Sequence, residues 1–236
     1  MTLPRRHLIA AFAAFSLATT LPALAETAPY VTAEQVDLLS LLPSPPARNS
    51  PGDLADIQAV LDMQKSRGTE RAALAVHDAN ENPLAIYGAI LGEGVTAARF
   101  PLVVAFLNRV AENEDTVVDP AKKGFARPRP HLVNAEIVPI VPRSSSGSYP
   151  SGHTTRGTLV GLVLVKMLPE KREAIMARIE EYGQSRLVAG IHYPADIEAG
   201  FRAGTATAAV MMTMPTFQAD LAAARAELRQ GLGLTP

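Results

Sequence analysis

Three short runs of this chain carry residue types that could hold and cleave a phosphate ester. The first is Lys122-Lys123 with Arg127, Arg129 and Pro130. The second is Pro150-Ser151-Gly152-His153, and the third contains Ser185, Arg186, His192 and Asp196. Phosphoryl transfer spreads negative charge over the equatorial oxygens of the moving group, and fixed cations aimed there supply most of the rate enhancement. Lys122, Arg129 and Arg186 are the candidates, because guanidinium forks match paired phosphate oxygens.

Ser151 stands where a helix cap belongs, ahead of a long apolar stretch. The N–H groups of Gly152 and His153 at such a start are free to bind an anion, and glycine lets the ligand come close. Serines at 144, 145, 146 and 148 and Gly147 make the preceding loop polar, as a site loop often is. Pro194 should open a helix and keep Tyr193 extended, which puts Asp196 in the first turn near His192. A carboxylate that accepts from one imidazole nitrogen fixes the tautomer and leaves the other nitrogen nucleophilic. Each run also has a plain structural explanation: a solvated charge, a helix cap, a first-turn acid. Only together do they point to one site for a phosphate dianion. Two histidines and a carboxylate can also hold a metal, but three neighbouring cations would repel a divalent ion, so no metal is expected.

The elements that must position these residues read as helices. Ser50-Pro51-Gly-Asp53 is a helix start that leads into an amphipathic stretch over 51–66. Helical spacing recurs over 69–79, 96–112, 151–168, 169–190, 194–214 and 215–230, with a short helix at 33–41. Lys122 to Pro130 reads as a loop. Alternating strand patterns are almost missing, and the few aromatics beside abundant Ala and Leu favour helix. The expected fold is all-α, a single helical bundle.

Residues 1–25 read as a cleavable export signal rather than a retained membrane helix. Arg5, Arg6 and His7 precede an apolar run to Leu21, and Ala23-Leu24-Ala25 is a small-x-small cleavage site. The Arg5-Arg6 pair keeps a twin-arginine route open beside the general one. Residues 26–50, with Pro29, Pro43, Pro45 and Pro46, read as a proline-rich arm, and 51–236 as the helical domain. Cleavage would remove two arginines and no acid, moving the net charge from −1 to −3. Such a chain is no polycation seeking nucleic acid. It contains no cysteine, which excludes disulfides and cysteine nucleophiles. The apolar runs 159–165 and 205–214 are too short for a bilayer, which needs ~20 residues, so no membrane association is expected after cleavage.

The spacing Lys-x6-Arg-Pro, Pro-Ser-Gly-His and Ser-Arg-x5-His-x3-Asp resembles the type-2 phosphatidic acid phosphatase and vanadium haloperoxidase superfamily. Within it the chain is most similar to the bacterial class A non-specific acid phosphatases. The export signal, the wider string Gly147 to Thr154, Leu41-Leu-Pro-Ser-Pro-Pro46 and the Asp53-Leu-Ala-Asp56 helix start add to the likeness. The resemblance implies a periplasmic or secreted acid phosphatase, homo-oligomeric, with no cofactor. It would act on small phosphate monoesters such as nucleotides, sugar phosphates or aryl phosphates, with phosphotransfer as a side activity. It implies that His192 attacks phosphorus, Asp196 orients it and His153 is the acid and base. Lys122, Arg129, Ser151, Gly152 and Arg186 would hold the phosphoryl oxygens. Lys123 and Arg127 match no motif position and are read as charges that shape the field, and His77 and His131 receive no role. Tyr193 stands where many members carry Trp, which bears on substrate preference. The rival readings are a vanadium-dependent haloperoxidase, a membrane lipid phosphatase and a phosphate-binding protein without turnover.

Overall fold

Proline opens most of the helices, because its fixed φ suits the first helical position and its missing N–H would be unpaired there anyway. A computed structural model describes residues 28–235. The expected export signal lies outside the described residues. In chain order the helices are α1 (Leu38–Leu41), α2 (Pro51–Ser66), α3 (Thr69–His77), α4 (Pro83–Leu91) and α5 (Pro101–Phe125). They continue with α6 (Pro130–Val133), α7 (Gly152–Met167), α8 (Arg172–Val188, after a 3-10 turn at Pro169–Lys171), α9 (Pro194–Met211) and α10 (Pro215–Gly231). No strand occurs among the described residues, and the all-α expectation holds.

Helix α7 is the centre of the bundle, packed against α9, α8 and α5. Its Leu159, Val160, Val163, Leu164 and Met167 are all fully buried, and truncating one such side chain to Ala costs about 2–5 kcal/mol. The α7–α9 contact is close because Gly200 and Gly204 face Thr154 and Thr158. A Cβ at Gly200 would lie 2.9 Å from the Ser151 carbonyl oxygen, and one at Gly204 2.8 Å from that of Thr155. This approach brings the start of α7, with Ser151 to His153, against the start of α9, with Asp196. The Ser151 N–H donates to the Asp196 carbonyl at 3.0 Å.

Several helices depart from the sequence reading: the short helix expected at 33–41 covers only Leu38–Leu41, α6 is absent from that reading, and α4 and α5 differ more. Helix α4 has an Asn82 cap and Pro83 at its start, but its nine residues are apolar on every side and show no periodicity. Helix α5 begins at Pro101 and continues through Pro120 to Phe125, well past the expected end at 112. Its polar mid-section is buried by specific partners: Asn113 Oδ1 accepts the N–H groups of Tyr30 and Val31 at 2.8 and 3.0 Å. Lys122 and Lys123 therefore sit on the last helical turn of α5 rather than in a loop. Tyr30, Val31, Val36, Leu38 and Leu42 of the proline-rich arm share the main core with α5 and α10, and Tyr149 Oη donates to the Pro43 carbonyl at 2.6 Å.

Candidate active site

Helix ends deliver most of the candidate residues. Lys122 lies in the last turn of α5 and Arg186 in the last turn of α8. Arg129 is the residue before α6, Ser151 caps α7, and Asp196 is in the first turn of α9. His192 lies in the link from α8 to α9. Charges and free N–H groups thus project from element ends whose positions are fixed by core packing.

Lys122, Arg129, Gly152, His153, Arg186 and His192 line one cavity of about 200 Å³. Glu81, Glu114, Asp115 and Asp119 line it as well. A Cβ at Gly152 would meet Glu114 Oε1 and sit 3.2 Å from Lys122 Nζ, so a larger residue there would displace these two side chains. Ser151 and Asp196 do not line the cavity. The Ser151 hydroxyl accepts from Thr154 N–H at 3.3 Å and from the Thr154 hydroxyl at 2.9 Å, so it fixes the helix start that presents Gly152 and His153.

Fully buried Asp196 stands behind His192. Its Oδ2 accepts from His192 Nδ1 at 3.1 Å, from Ser148 Oγ at 2.5 Å and from the Tyr193 N–H at 2.9 Å. On the cavity side Arg129 Nη1 lies 3.0 Å from His192 Nε2. A guanidinium only donates, so Nε2 carries the lone pair and Nδ1 the proton. Burial, reinforced by Arg129, Lys122 and Arg186, holds His192 well below its usual proton affinity, so it is neutral. Burial also raises Asp196 to about 6, against the pull of Arg127, Ser148 and the Tyr193 N–H. The geometry is that of a neutral imidazole with its free nitrogen aimed among cations.

Arg127, read from sequence as a charge that merely shapes the field, is instead built into this relay. It is buried, with Nη1 2.8 Å from Asp196 Oδ1 and Nη2 2.7 Å from Asp56 Oδ2 and 3.4 Å from Asp53 Oδ1. Its guanidinium also stacks on the Tyr193 ring, 4.0 Å from the centroid. Nothing in the motif spacing distinguishes Arg127 from Lys123, because the carboxylates that claim it lie about seventy residues away on either side, in α2 and α9. A larger cavity of about 440 Å³ lies behind Arg127 and Tyr193, against Pro45, Pro46 and Arg48.

Arg129 stays charged at neutral pH. Burial lowers Arg129 to about 10, with Arg186 adding repulsion, and lowers Lys122 as well, against the attraction of Glu114. Glu114 is driven up to about 7 by burial, opposed by Arg156 and Lys122. His153 has Nδ1 2.8 Å from Glu81 Oε1 and Nε2 3.3 Å from the Ala79 carbonyl. Among the described residues no group of three or more His, Asp or Glu is arranged to hold a metal, and no helix is long and apolar enough to cross a membrane. His77 and His131 lie outside the cavity.

Residues 94–220 match the model of the PAP2 superfamily. The chain belongs to that superfamily. It is 32% identical over 203 residues to a non-specific acid phosphatase of Salmonella typhimurium, covering 83% of this chain and 81% of that one. An acid phosphatase of Zymomonas mobilis is 30% identical over 203 residues, covering 82% and 76%. The class A acid phosphatase likeness, and with it a phosphatase, is borne out. Solved structures share the fold at lower identity. A bacterial vanadium-dependent iodoperoxidase superposes with a TM-score of 0.60 at 15% identity over 75% of this chain, which spans 52% of that protein. A transmembrane PAP2-type phosphatidylglycerolphosphate phosphatase from Bacillus subtilis gives 0.50 at 18% identity, over 76% and 90%.

Proposed function

We propose that this PAP2 phosphatase hydrolyses phosphate monoesters through a phosphohistidine on His192, without a metal. The observation that carries the reading is the orientation of His192, with Nδ1–H on Asp196 and the Nε2 lone pair facing Arg129. In the first step Nε2 forms a bond to phosphorus, the ester P–O bond breaks, and His153 gives its proton to the leaving oxygen. In the second step His153 takes a proton from water, the water oxygen bonds to phosphorus, and the P–N bond breaks to release phosphate. Lys122, Arg129, Arg186 and the N–H groups at the start of α7 carry the charge of the equatorial oxygens throughout. Ser151 contributes by holding that helix start. An alcohol in place of water gives phosphotransfer as a side activity.

The sequence of residues 1–25 supports export to the periplasm or beyond, and an assembly of identical subunits is part of the same reading. Nucleotides, sugar phosphates and aryl phosphates are the substrate classes this reading names. The test is p-nitrophenyl phosphate hydrolysis with and without a chelator, with trapping of the acid-labile phosphoenzyme in wild type and His192→Ala. Undiminished hydrolysis under chelation and loss of the trapped species in the variant are expected. A phosphoenzyme that survives His192→Ala would reassign the nucleophile.

A further inference from the structure

The segment between α3 and α4, residues 78–82, belongs to none of the three sequence runs, yet it touches three of the residues they contain, His153, Ser185 and Arg186. The Asp78 carbonyl accepts from Arg186 Nη1 at 3.3 Å, the Ala79 carbonyl faces His153 Nε2 at 3.3 Å, and the Asn80 carbonyl accepts from Tyr182 Oη at 3.0 Å. The segment is itself anchored, since the buried Asp78 carboxylate accepts from Ser185 Oγ at 2.5 Å and pairs with Arg178. Glu81 follows directly, with Oε1 2.8 Å from His153 Nδ1. The Tyr182 ring lies flat against the imidazole, centroids 6.0 Å apart at 21°.

We propose that Glu81 is the positioning residue for the proton carried by His153: by holding Nδ1–H it leaves the Nε2 proton as the one transferred to the leaving oxygen. This rests on the acid role of His153 proposed above. Both ring nitrogens face acceptors, an arrangement that only the imidazolium satisfies in full. The contact to Ala79 is the longer and weaker of the two, so Nε2–H is the bond the ring can give up. Nδ1–H stays on the carboxylate, the same division of labour that Asp196 imposes on His192.

The charges around His153 fix the sign of the effect. Glu81 faces it from the 78–82 segment, Arg186 and Tyr182 from α8, and Glu114, Asp115, Asp119 and Lys122 from α5 across the cavity. Arg129 and His192 face it from the loops, and Arg156 from its own helix. Burial lowers the proton affinity of His153, Glu81 opposes that, and Arg186 adds to it. Removing the Glu81 charge therefore moves loss of the acid proton to lower pH.

The experiment compares p-nitrophenyl phosphate, whose leaving group departs readily without a proton, with glycerol 2-phosphate, whose alkoxide needs one. Wild type, Glu81→Gln, Glu81→Asp, His153→Ala and the Glu81→Gln/His153→Ala double variant are assayed across pH. Glu81→Gln is expected to lose about tenfold more kcat on the alkyl ester than on the aryl ester, and to move the basic limb of kcat down by about one pH unit. Glu81→Asp should recover part of both, and the double variant should be no slower than His153→Ala. The proposal is overturned if Glu81→Gln treats the two esters alike with an unmoved limb, or if its loss multiplies with that of His153→Ala. A separate outcome addresses the underlying reading: equal loss on both esters in His153→Ala would remove the acid assignment, and the role of Glu81 with it.

Discussion

Arg127 Nη1 donates to Asp196 Oδ1 across 2.8 Å, while Nη2 of the same guanidinium reaches Asp56 Oδ2 at 2.7 Å. One buried side chain thus ties the carboxylate behind His192 to the first turns of α2. Taking one partner out of a buried ionic cluster leaves the others uncompensated, which costs about 3–5 kcal/mol. Arg127→Met should lose stability on that scale in urea unfolding. Arg127→Lys should lose less stability but still show lowered kcat, because a single ammonium cannot serve Asp196 and Asp56 together. A Met variant that unfolds at the wild-type midpoint would contradict this account.

Asp196→Asn keeps the shape of the site but weakens the acceptor that fixes His192. Loss of the correct imidazole tautomer in a comparable relay lowers kcat by roughly 10⁴-fold, and a fall on the order of 10³–10⁴ is expected here. Rapid-quench measurement of phosphoenzyme formation is the check. Formation as fast as in wild type would show that Asp196 does not set the tautomer.

Glu114 stands beside Gly152 and Lys122 in the phosphate cavity, and its carboxyl titrates at about 7. Below that pH it is neutral and leaves Lys122 to the ligand; above it, its charge competes with the phosphate. Inhibition by inorganic phosphate should therefore weaken as pH rises through 7, and Glu114→Gln should flatten that part of the profile relative to wild type. The folded carboxyl binds its proton more tightly than the unfolded one, whose usual value is 4.5. Its contribution to stability is thus complete below pH 4.5 and is lost as pH rises through 7. Parallel profiles for the two proteins would dismiss Glu114 from both effects.

Gly152→Ala places a methyl group against Glu114 Oε1 and 3.2 Å from Lys122 Nζ. Alanine favours helix more than glycine, so the melting temperature should change little while kcat/KM falls roughly 10²-fold through displaced anion contacts. Thermal melts beside steady-state kinetics separate the two. An unchanged kcat/KM would mean that neither neighbour is needed where it stands.

Sequence by itself determined the helical class and the helix starts at Pro51, Pro194 and Pro215, and it singled out Lys122, Arg129, Ser151, Gly152, His153, Arg186, His192 and Asp196 as candidates. These are legible because proline at a first turn, a serine cap and a fixed spacing of Lys, Arg, His and Asp are local signals. It did not reveal α4, whose apolar residues have no period, or the continuation of α5 past 112, which depends on tertiary partners for Asn113 and Glu114. Only the tertiary structure decided that Ser151 lies outside the cavity, that Arg127 pairs with Asp196, and that Glu81 meets His153. Helices α2 and α9 bring their carboxylates to Arg127, the packing of α7 against α9 sets Ser151 beside Asp196, and the 78–82 segment brings Glu81 to His153. A buried ion pair or a shared imidazole is a property of that packing and leaves no trace in spacing along the chain.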